Sequence, residues 1–174
     1  ETVPSAVHWV IQSQFIELFG DPLNPMRSVP LGEAATLARG RFSPRPRNDP
    51  KFYNGIYPFI QTGDIANCNH RLSEYKQTLN DEGIKVSKKF EKGTIVIAIV
   101  GATIGATAIL QEDTYAPDSV IGISANSNTN NVFLEFLLRF WQPELLRTAP
   151  SVARANINLD ILSRKINKKH VKTL

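Results

Sequence analysis

The fold is decided by residues 92–124, KGTIVIAIVGATIGATAILQEDTYAPDSVIGIS, which contain three short apolar runs. The first run, residues 95–100, is unbroken and rich in β-branched side chains, which is typical of a strand buried on both faces. Further apolar runs follow at 106–110 and 120–123. We therefore predict three strands here, with a tight turn between the first two.

The segment Gly101-Ala-Thr-Ile-Gly105 forms that turn, because glycine alone takes positive φ without steric cost. No side chains cover the backbone at the two glycines, and Thr103 places a hydroxyl at the tip. Such a tip can lie against another backbone, a phosphate or a base edge. A plain tight hairpin is the alternative interpretation.

Length and composition indicate one ordinary globular domain. The chain has 174 residues, of which 42% are hydrophobic and 21% charged. No apolar run approaches the ~20 residues of a transmembrane helix, and no signal peptide is expected. Cys68 is the only cysteine, so we predict no disulfide framework and a cytoplasmic location without membrane contact. The missing initiator methionine suggests an incomplete chain.

Positive charge is concentrated in two blocks that flank a neutral centre. The net charge is +4, and five basic residues but one acid lie between Arg39 and Lys51. Eight basic residues follow from Arg139 onward, whereas residues 94–138 contain no lysine or arginine. This asymmetry predicts a protein that binds a polyanion. A solvated basic surface is the alternative.

An amphipathic helix is predicted at the N-terminus. Apolar residues recur at three- and four-residue steps over residues 5–19, and Gly20 ends the pattern. Its apolar face consists of Val7, Ile11, Phe15 and Leu18. This face has no obvious partner inside a compact domain, so we expect it to pack on a helix of another copy or of a missing half. Residues 23–30 are predicted to be a linker.

Residues 41–50, RFSPRPRNDP, are predicted to form a rigid, irregular loop. Three prolines exclude regular structure, and the arginines do not belong in a core. A rigid loop loses little entropy when it docks, which suits binding. A solvated loop is the alternative.

The rest of the pattern indicates an α+β fold with a twisted, barrel-like mixed β-sheet and short helices packed on it. We predict a helical turn near 31–35, strands at 36–38 and 58–61, and a turn at 62–64. A helix is predicted over 132–141, with Glu135 and Arg139 on its outer face. Pro143 is predicted to break this helix or to restart it as a second short helix through Leu146. Residues 149–158 are predicted to be an irregular loop.

Catalytic and metal-binding constellations are absent from the sequence. His8, His70 and His170 are scattered, without metal-site spacing, and the first two are interpreted as surface or packing residues. Gly101 and Gly105 are followed by a strand-like run, so they do not form a dinucleotide fingerprint.

The chain resembles one target-recognition domain of the specificity subunit of type I DNA restriction-modification systems. Five motifs in the family's order carry the resemblance: SQFIELFGDP at 13–22, PLGEAA at 30–35, PFIQTGDI at 58–65, GATIG at 101–105 with AI at 108–109, and NINL at 156–159. The resemblance implies the end of a spacer helix at 1–22, a linker at 23–30 and a DNA target-recognition domain at 31–174.

The resemblance also implies a function. In this family the subunit has no catalytic cofactor and reads one half of a bipartite sequence in double-stranded DNA. It holds methyltransferase (modification) subunits, which use S-adenosylmethionine, and an ATP-driven restriction subunit. The chain is therefore expected to be non-catalytic, and a second recognition domain or a homodimer through the spacer helix is expected to complete it.

Candidate DNA-binding residues come from the predicted loops and basic segments, where lysines meet phosphates and other side chains read base edges. They are Arg39, Arg41, Arg45, Arg47, Lys51, Thr62, Asp64, Arg71, Lys88, Lys89, Thr103, Arg154 and Asn156. Two other classes remain open. One is a fragment of a fused restriction-methyltransferase enzyme carrying only its recognition domain, and the other is a protein-interaction module without nucleic acid.

Overall fold

The computed structural model describes residues 6–21 and 30–148, which form nine strands and five α-helices. The helices are α1 (Ala6–Phe19), α2 (Leu31–Ala34), α3 (Thr62–Asn67), α4 (Asp81–Lys85) and α5 (Asn131–Thr148). The strands are β1 (Ala35–Arg39), β2 (Tyr53–Phe59), β3 (Arg71–Leu72), β4 (Gln77–Leu79), β5 (Lys88–Phe90), β6 (Ile95–Ala98), β7 (Thr107–Leu110), β8 (Thr114–Ala116) and β9 (Val120–Ala125).

The apolar runs of residues 92–124 form the centre of a five-stranded sheet. Its order is β1-β9-β6-β7-β3, and β6 pairs antiparallel with both β7 and β9. Every residue of β6 and β7 is buried. The predicted turn between them is confirmed, because Gly101 and Gly105 have φ of 66° and 80°, a region that favours glycine.

A second sheet has the order β4-β2-β8-β5 and mixes strand directions. Strand β2 runs antiparallel to β4 and parallel to β8. The predicted α+β fold with mixed strands and short helices is thus confirmed, although the strands form two sheets and not one barrel-like sheet. Strand β2 also begins earlier than the strand predicted at 58–61.

Strand β6 buries both of its faces, as predicted. Ile95 and Ile97 pack with leucines of α5, whereas Val96 lies in a separate cluster with Ile60 and Phe90. Full burial of such a side chain contributes ~1.5–3 kcal/mol. The central strand therefore joins two layers of apolar packing.

Helix α1 has the predicted extent and end. Gly20 has φ of 81°, and its N–H donates to Ile16 O at 2.8 Å. Phe15 is buried, with its ring 4.9 Å from that of Phe140 on α5. This residue therefore has a partner within its own domain, contrary to expectation, whereas Leu18 is 70% exposed. The side chains of Val7 and Ile11 lie outside the described residues.

Two predicted boundaries are wrong. Residues 62–64 begin helix α3 and do not form a simple turn, because Asp64 Oδ2 accepts the Gln61 N–H at 2.8 Å and caps the helix. Helix α5 continues through the exposed Pro143 to Thr148 as one helix, without the interruption expected at the proline and beyond the end expected at Leu146. Leu145, beyond the proline, is buried in the same cluster as the earlier leucines, and this packing offsets the ~3 kcal/mol that an interior proline costs. The loop predicted at 149–158 lies outside the described residues.

Candidate nucleic-acid interface

The strand topology gathers several loops at one end of the molecule. Strands β1 and β6 end there, and β7 and β9 begin there, because neighbouring strands are antiparallel. Ile99 N–H donates to Ser119 O at 3.0 Å. Strands β2 and β8 run parallel, so the residues that follow each of them lie side by side. We call this end, residues 39–48, 60–64, 99–105 and 117–119, the loop end.

Aromatic packing anchors the arginine loop, residues 41–48, to the second sheet. Phe42 is buried, with its ring 5.1 Å from that of Phe59 and 5.7 Å from that of Tyr53. Tyr53 O–H also donates to Arg47 O. The loop contains no helix or strand, as predicted, and its anchors limit how far the arginines between them can move.

Three arginines meet at Asp118, in the turn between β8 and β9. Arg47 Nη2 lies 2.6 Å from Asp118 Oδ1, Arg45 Nη2 lies 3.9 Å from Oδ2, and Arg39 Nε donates to Asp118 O at 2.7 Å. One acidic residue thus contacts three exposed arginines, two through its carboxylate and one through its backbone carbonyl. The cluster keeps a net positive charge, which suits a polyanion.

Arg41 and Arg45 also donate to backbone carbonyls. Arg41 Nη2 lies 3.2 Å from Ser87 O, and Arg45 Nη1 lies 2.7 Å from Pro44 O. Carbonyl oxygens hold a guanidinium group in place without cancelling its charge. Part of each arginine's donor set is nevertheless occupied.

The three predicted phosphate-binding lysines differ in their surroundings. Lys51 Nζ lies 3.3 Å from Asp49 Oδ2, and Lys89 Nζ lies 2.7 Å from Asp113 Oδ2. The hydrogen bond and charge of Asp113 raise the pKa of Lys89. Lys88 has no ion pair within residues 30–148. Its backbone N–H donates to Arg41 O at 3.1 Å. Lys88 is therefore the one of these three lysines whose charge no described acid pairs, and its backbone lies beside that of Arg41.

The predicted polar residues of the two turns have local structural contacts. Thr62 is the first residue of α3, which contacts the turn at Gly101–Thr103. Asp64 is 9% exposed and caps α3. Thr103 Oγ1 donates to Val100 O at 3.2 Å, and this bond supports the turn. The predicted residues Arg154 and Asn156 lie outside the described residues.

A buried charged network connects α5 to the strands. Glu135, expected on the outer face, is 0% exposed. Its Oε1 accepts from Thr107 Oγ1 at 2.8 Å and from Arg139 Nε at 2.5 Å, while Oε2 lies 2.7 Å from His70 Nδ1. The expectation fails because three polar partners converge on the inner face of α5 and satisfy the carboxylate there.

The network also shifts the titration of Glu135. Burial raises its pKa, but hydrogen bonds from His70 and Arg139 and the charge of Arg139 outweigh burial and hold the pKa below its ordinary value. The carboxylate is therefore ionised at neutral pH. His70 thus has a specific buried partner, and the spacing of Glu135 and Arg139, one helical turn apart, is the sequence signal that could have indicated the pair.

Arg71 lies on β3, the edge strand beside β7. It is exposed and borders an open cleft of about 370 Å³ whose lining includes Asn67, Asn69 and Tyr75. Within the described ranges its guanidinium group makes no hydrogen bond or ion pair. The structure therefore separates Arg71 from the arginines that converge on Asp118.

The described residues contain neither a metal-ligating cluster nor a membrane-spanning helix. Among residues 6–21 and 30–148, no group of three or more His, Cys, Asp or Glu side chains could hold a metal ion. No helix in this part of the chain is long and apolar enough to cross a membrane.

Comparison with known proteins adds independent findings. A family model for the type I restriction modification DNA specificity domain matches residues 25–167. The HsdS subunit from Thermoanaerobacter tengcongensis is 18% identical with a TM-score of 0.69, over 92% of this chain and 38% of that chain. The type-I restriction-modification system S subunit from M. genitalium is 15% identical with a TM-score of 0.56, over 91% of this chain and 36% of that chain.

A third solved chain comes from a study of complex assembly and conformational transition of the type I R-M system. It is 19% identical with a TM-score of 0.65, over 91% of this chain and 38% of that chain. At these identities the likeness concerns the fold. The present chain spans less than two fifths of the length of each of the three.

Proposed function

This chain belongs to the family of type I restriction modification DNA specificity domains, and we propose that its loop end binds one half of a bipartite target in double-stranded DNA. The observation that carries the proposal is the convergence of Arg39, Arg45 and Arg47 on Asp118, Arg39 at its backbone carbonyl and the other two at its carboxylate, at an end built from loops. Lys88 and Arg41 extend the same positive surface. Loops on a rigid double-sheet scaffold suit sequence recognition.

We infer a division of labour from the contacts, and for the arginine loop it differs from the sequence-based expectation that its side chains read base edges. Lys51, Lys88 and Lys89 meet phosphates as point charges, and the arginine loop grips the backbone beside them. Thr62, Asp64 and Thr103 shape the turns that approach the duplex. Arg154 and Asn156 belong to the proposed recognition domain at 31–174 and remain candidate contacts.

We also propose protein partners for this domain. The domain supplies recognition and carries no cofactor, while methyltransferase and restriction subunits in the cytoplasm supply methyl transfer and ATP-driven cleavage. Val10 and Leu18 of α1 are 61% and 70% exposed. Residues 1–22 are thus proposed to be the end of a spacer helix that packs on a second recognition domain or a second copy, with 23–30 as a linker.

Selection of duplexes from a random pool tests this function. We expect the full chain to enrich one short motif, with an affinity that falls steeply as salt rises. The chain alone is expected neither to methylate nor to cleave DNA in the presence of S-adenosylmethionine or ATP. No enrichment together with salt-independent binding would favour a protein-interaction module. Turnover in either assay would favour an enzyme.

A further inference from the structure

A strained turn lies at the start of β3. Arg71 N–H donates to Asn69 O at 2.7 Å, and His70 between them has φ of 63°. A hydrogen bond from residue i+2 to residue i around a positive φ is the rare, strained form of γ-turn. Histidine lacks the freedom of glycine there, so the surrounding structure must impose the conformation.

Two elements impose it. Helix α5 holds the ring, because His70 Nδ1 lies 2.7 Å from Glu135 Oε2 and the ring centroid lies 4.5 Å from that of Phe136. Strand β7 holds the backbone, because Ile109 N–H donates to His70 O at 2.7 Å. Glu135 is itself fixed by Arg139 and Thr107. The turn is therefore pinned to the main sheet.

The pinned turn presents two unoccupied side chains to the cleft. Asn69 and Arg71 are exposed, and neither side chain makes a hydrogen bond within the described part of the chain. This contrasts with Arg41, Arg45 and Arg47, whose donors are occupied by carbonyls and Asp118. A free guanidinium fork matches O6 and N7 of guanine, and an asparagine amide matches N6 and N7 of adenine.

We infer that the turn Asn69-His70-Arg71 is a base-reading element, in which Arg71 and Asn69 contact base edges and His70, held by Glu135, is a positioning residue. The inference rests on the proposed function and deepens it. Arg71 pairs with Ile109 of β7, and the cleft that Arg71 borders is also lined by Asp64 of the loop end, so the arginine loop can grip phosphates while the turn reads sequence. Rigid placement suits this role, because a bidentate contact requires its two donors in register.

Selection from a random duplex pool with the full chain tests the reading role. Arg71→Lys keeps the charge and loses the planar fork. We expect it to lose preference at one base pair, with discrimination there reduced roughly 5- to 150-fold and affinity for random DNA unchanged. Asn69→Ala should relax another position. Lys92→Ala removes an exposed cation at the opposite end of the main sheet and should leave the motif intact.

A second pair of variants tests the positioning role. His70→Gly retains access to positive φ but loses the ring, and Glu135→Gln keeps the size of its side chain. Both should weaken the preference at the base pair that Arg71→Lys affects, more than they weaken binding to random DNA. A variant that does not unfold cooperatively on heating is not properly folded and is set aside. The base-reading role is then tested by Arg71→Lys and Asn69→Ala alone.

The outcomes separate this inference from the proposed function. If the unmodified chain selects a motif and Arg71→Lys and Asn69→Ala select the same motif with unchanged discrimination, the inference is overturned and the proposed function stands. If the unmodified chain selects no motif, both are overturned.

Discussion

Arg47 Nη2 lies 2.6 Å from Oδ1 and 2.8 Å from Oδ2 of Asp118, with both side chains at the surface. An exposed pair of this kind contributes only ~0–1 kcal/mol to stability. Its greater effect is on the local charge, because it places one negative group among arginines that face a proposed polyanion. Under the proposed function, Asp118 therefore both orients the arginine loop and moderates its attraction for DNA of any sequence.

Replacing Asp118 by Asn should strengthen binding to random DNA. The change frees a cation for phosphate, so the slope of log affinity against log salt should steepen by about one unit. Affinity for the selected site should rise less, because the arginines lose a fixed partner. Fluorescence anisotropy with both duplexes at several salt concentrations measures this. Weaker binding of the variant to random DNA would show that Asp118 acts only as a support for the loop.

Lys88 and Lys89 offer a matched pair of adjacent lysines on β5. The Lys88 side chain makes no ion pair within the described residues, and its backbone N–H donates to Arg41 O. Lys89 Nζ, in contrast, lies 2.7 Å from Asp113 Oδ2. Lys88→Ala should weaken binding to all sequences equally and lower the salt slope by about one unit. Lys89→Ala should change both quantities less. Equal effects would contradict the placement of the DNA at the loop end.

Glu135 should make stability depend on pH. Its pKa is held below the ordinary 4.5 in the folded chain, so it contributes stability above that value and loses the contribution as pH falls through the folded pKa. Glu135→Gln should reduce the free energy of unfolding by about 2–3 kcal/mol at neutral pH. This is less than the ~3–5 kcal/mol for a fully buried pair, because Arg139 and His70 are each 25% exposed.

Urea unfolding over a pH series that crosses 4.5 measures this dependence. The difference between the unmodified chain and Glu135→Gln should shrink as the pH falls below that value. Glu112→Gln, at an exposed turn, is the control for replacing a surface glutamate and should change the free energy of unfolding at neutral pH little. If the difference in free energy of unfolding between the two proteins is constant with pH, the packing of Glu135 stabilises the fold and its charge does not.

Gly122 on β9 is predicted to tolerate no larger side chain. A Cβ there would lie 2.3 Å from Cε1 of the buried Phe90 ring, and such overpacking costs ~1–3 kcal/mol. Gly63 in α3 has nothing within 4 Å of the same position. Gly63→Ala should therefore hold or raise the melting temperature, while Gly122→Ala lowers it. A Gly122→Ala variant as stable as the unmodified chain would contradict the packing of Phe90 over β9.

The exposed apolar face of α1 predicts self-association in the absence of another partner. Leu18→Glu should shift the chain toward monomer in sedimentation velocity, because it places a charge on that face. Ile56→Glu is the control, since Ile56 is 83% exposed but lies on β2. A chain that is monomeric at every concentration would exclude a second copy and leave the helix of a second recognition domain as the partner.

The strongly patterned elements could be predicted from the sequence. Strands β6, β7 and β9 follow from apolar runs, and α1 from its three- and four-residue spacing, because local pattern decides which face each element buries. Helix α3 was missed because a six-residue helix has little periodicity, and its cap depends on Gln61 and Asp64. The sequence predicts a break or a restart at Pro143, whereas packing at Leu145 keeps the helix continuous.

The candidate site was harder to predict because its contacts join distant parts of the chain. Arg47 and Asp118 are 71 residues apart, and His70 and Glu135 are 65 apart. Nothing near Asp118 marks it as the partner of an arginine loop. Charge density predicted the arginines correctly as a group at the surface, but the pairing that distinguishes Arg71 from them is visible only in three dimensions.

The aromatic anchor of the arginine loop has a consequence for divergence. Phe42, Phe59 and Leu79 form a cluster separate from the two that build the main core. Residues 43–48 can therefore be exchanged, lengthened or recharged at little cost to folding, provided that Phe42 and Tyr53 stay. A domain organised in this way can change how tightly it grips a polyanion by altering a replaceable segment while its scaffold is inherited unchanged.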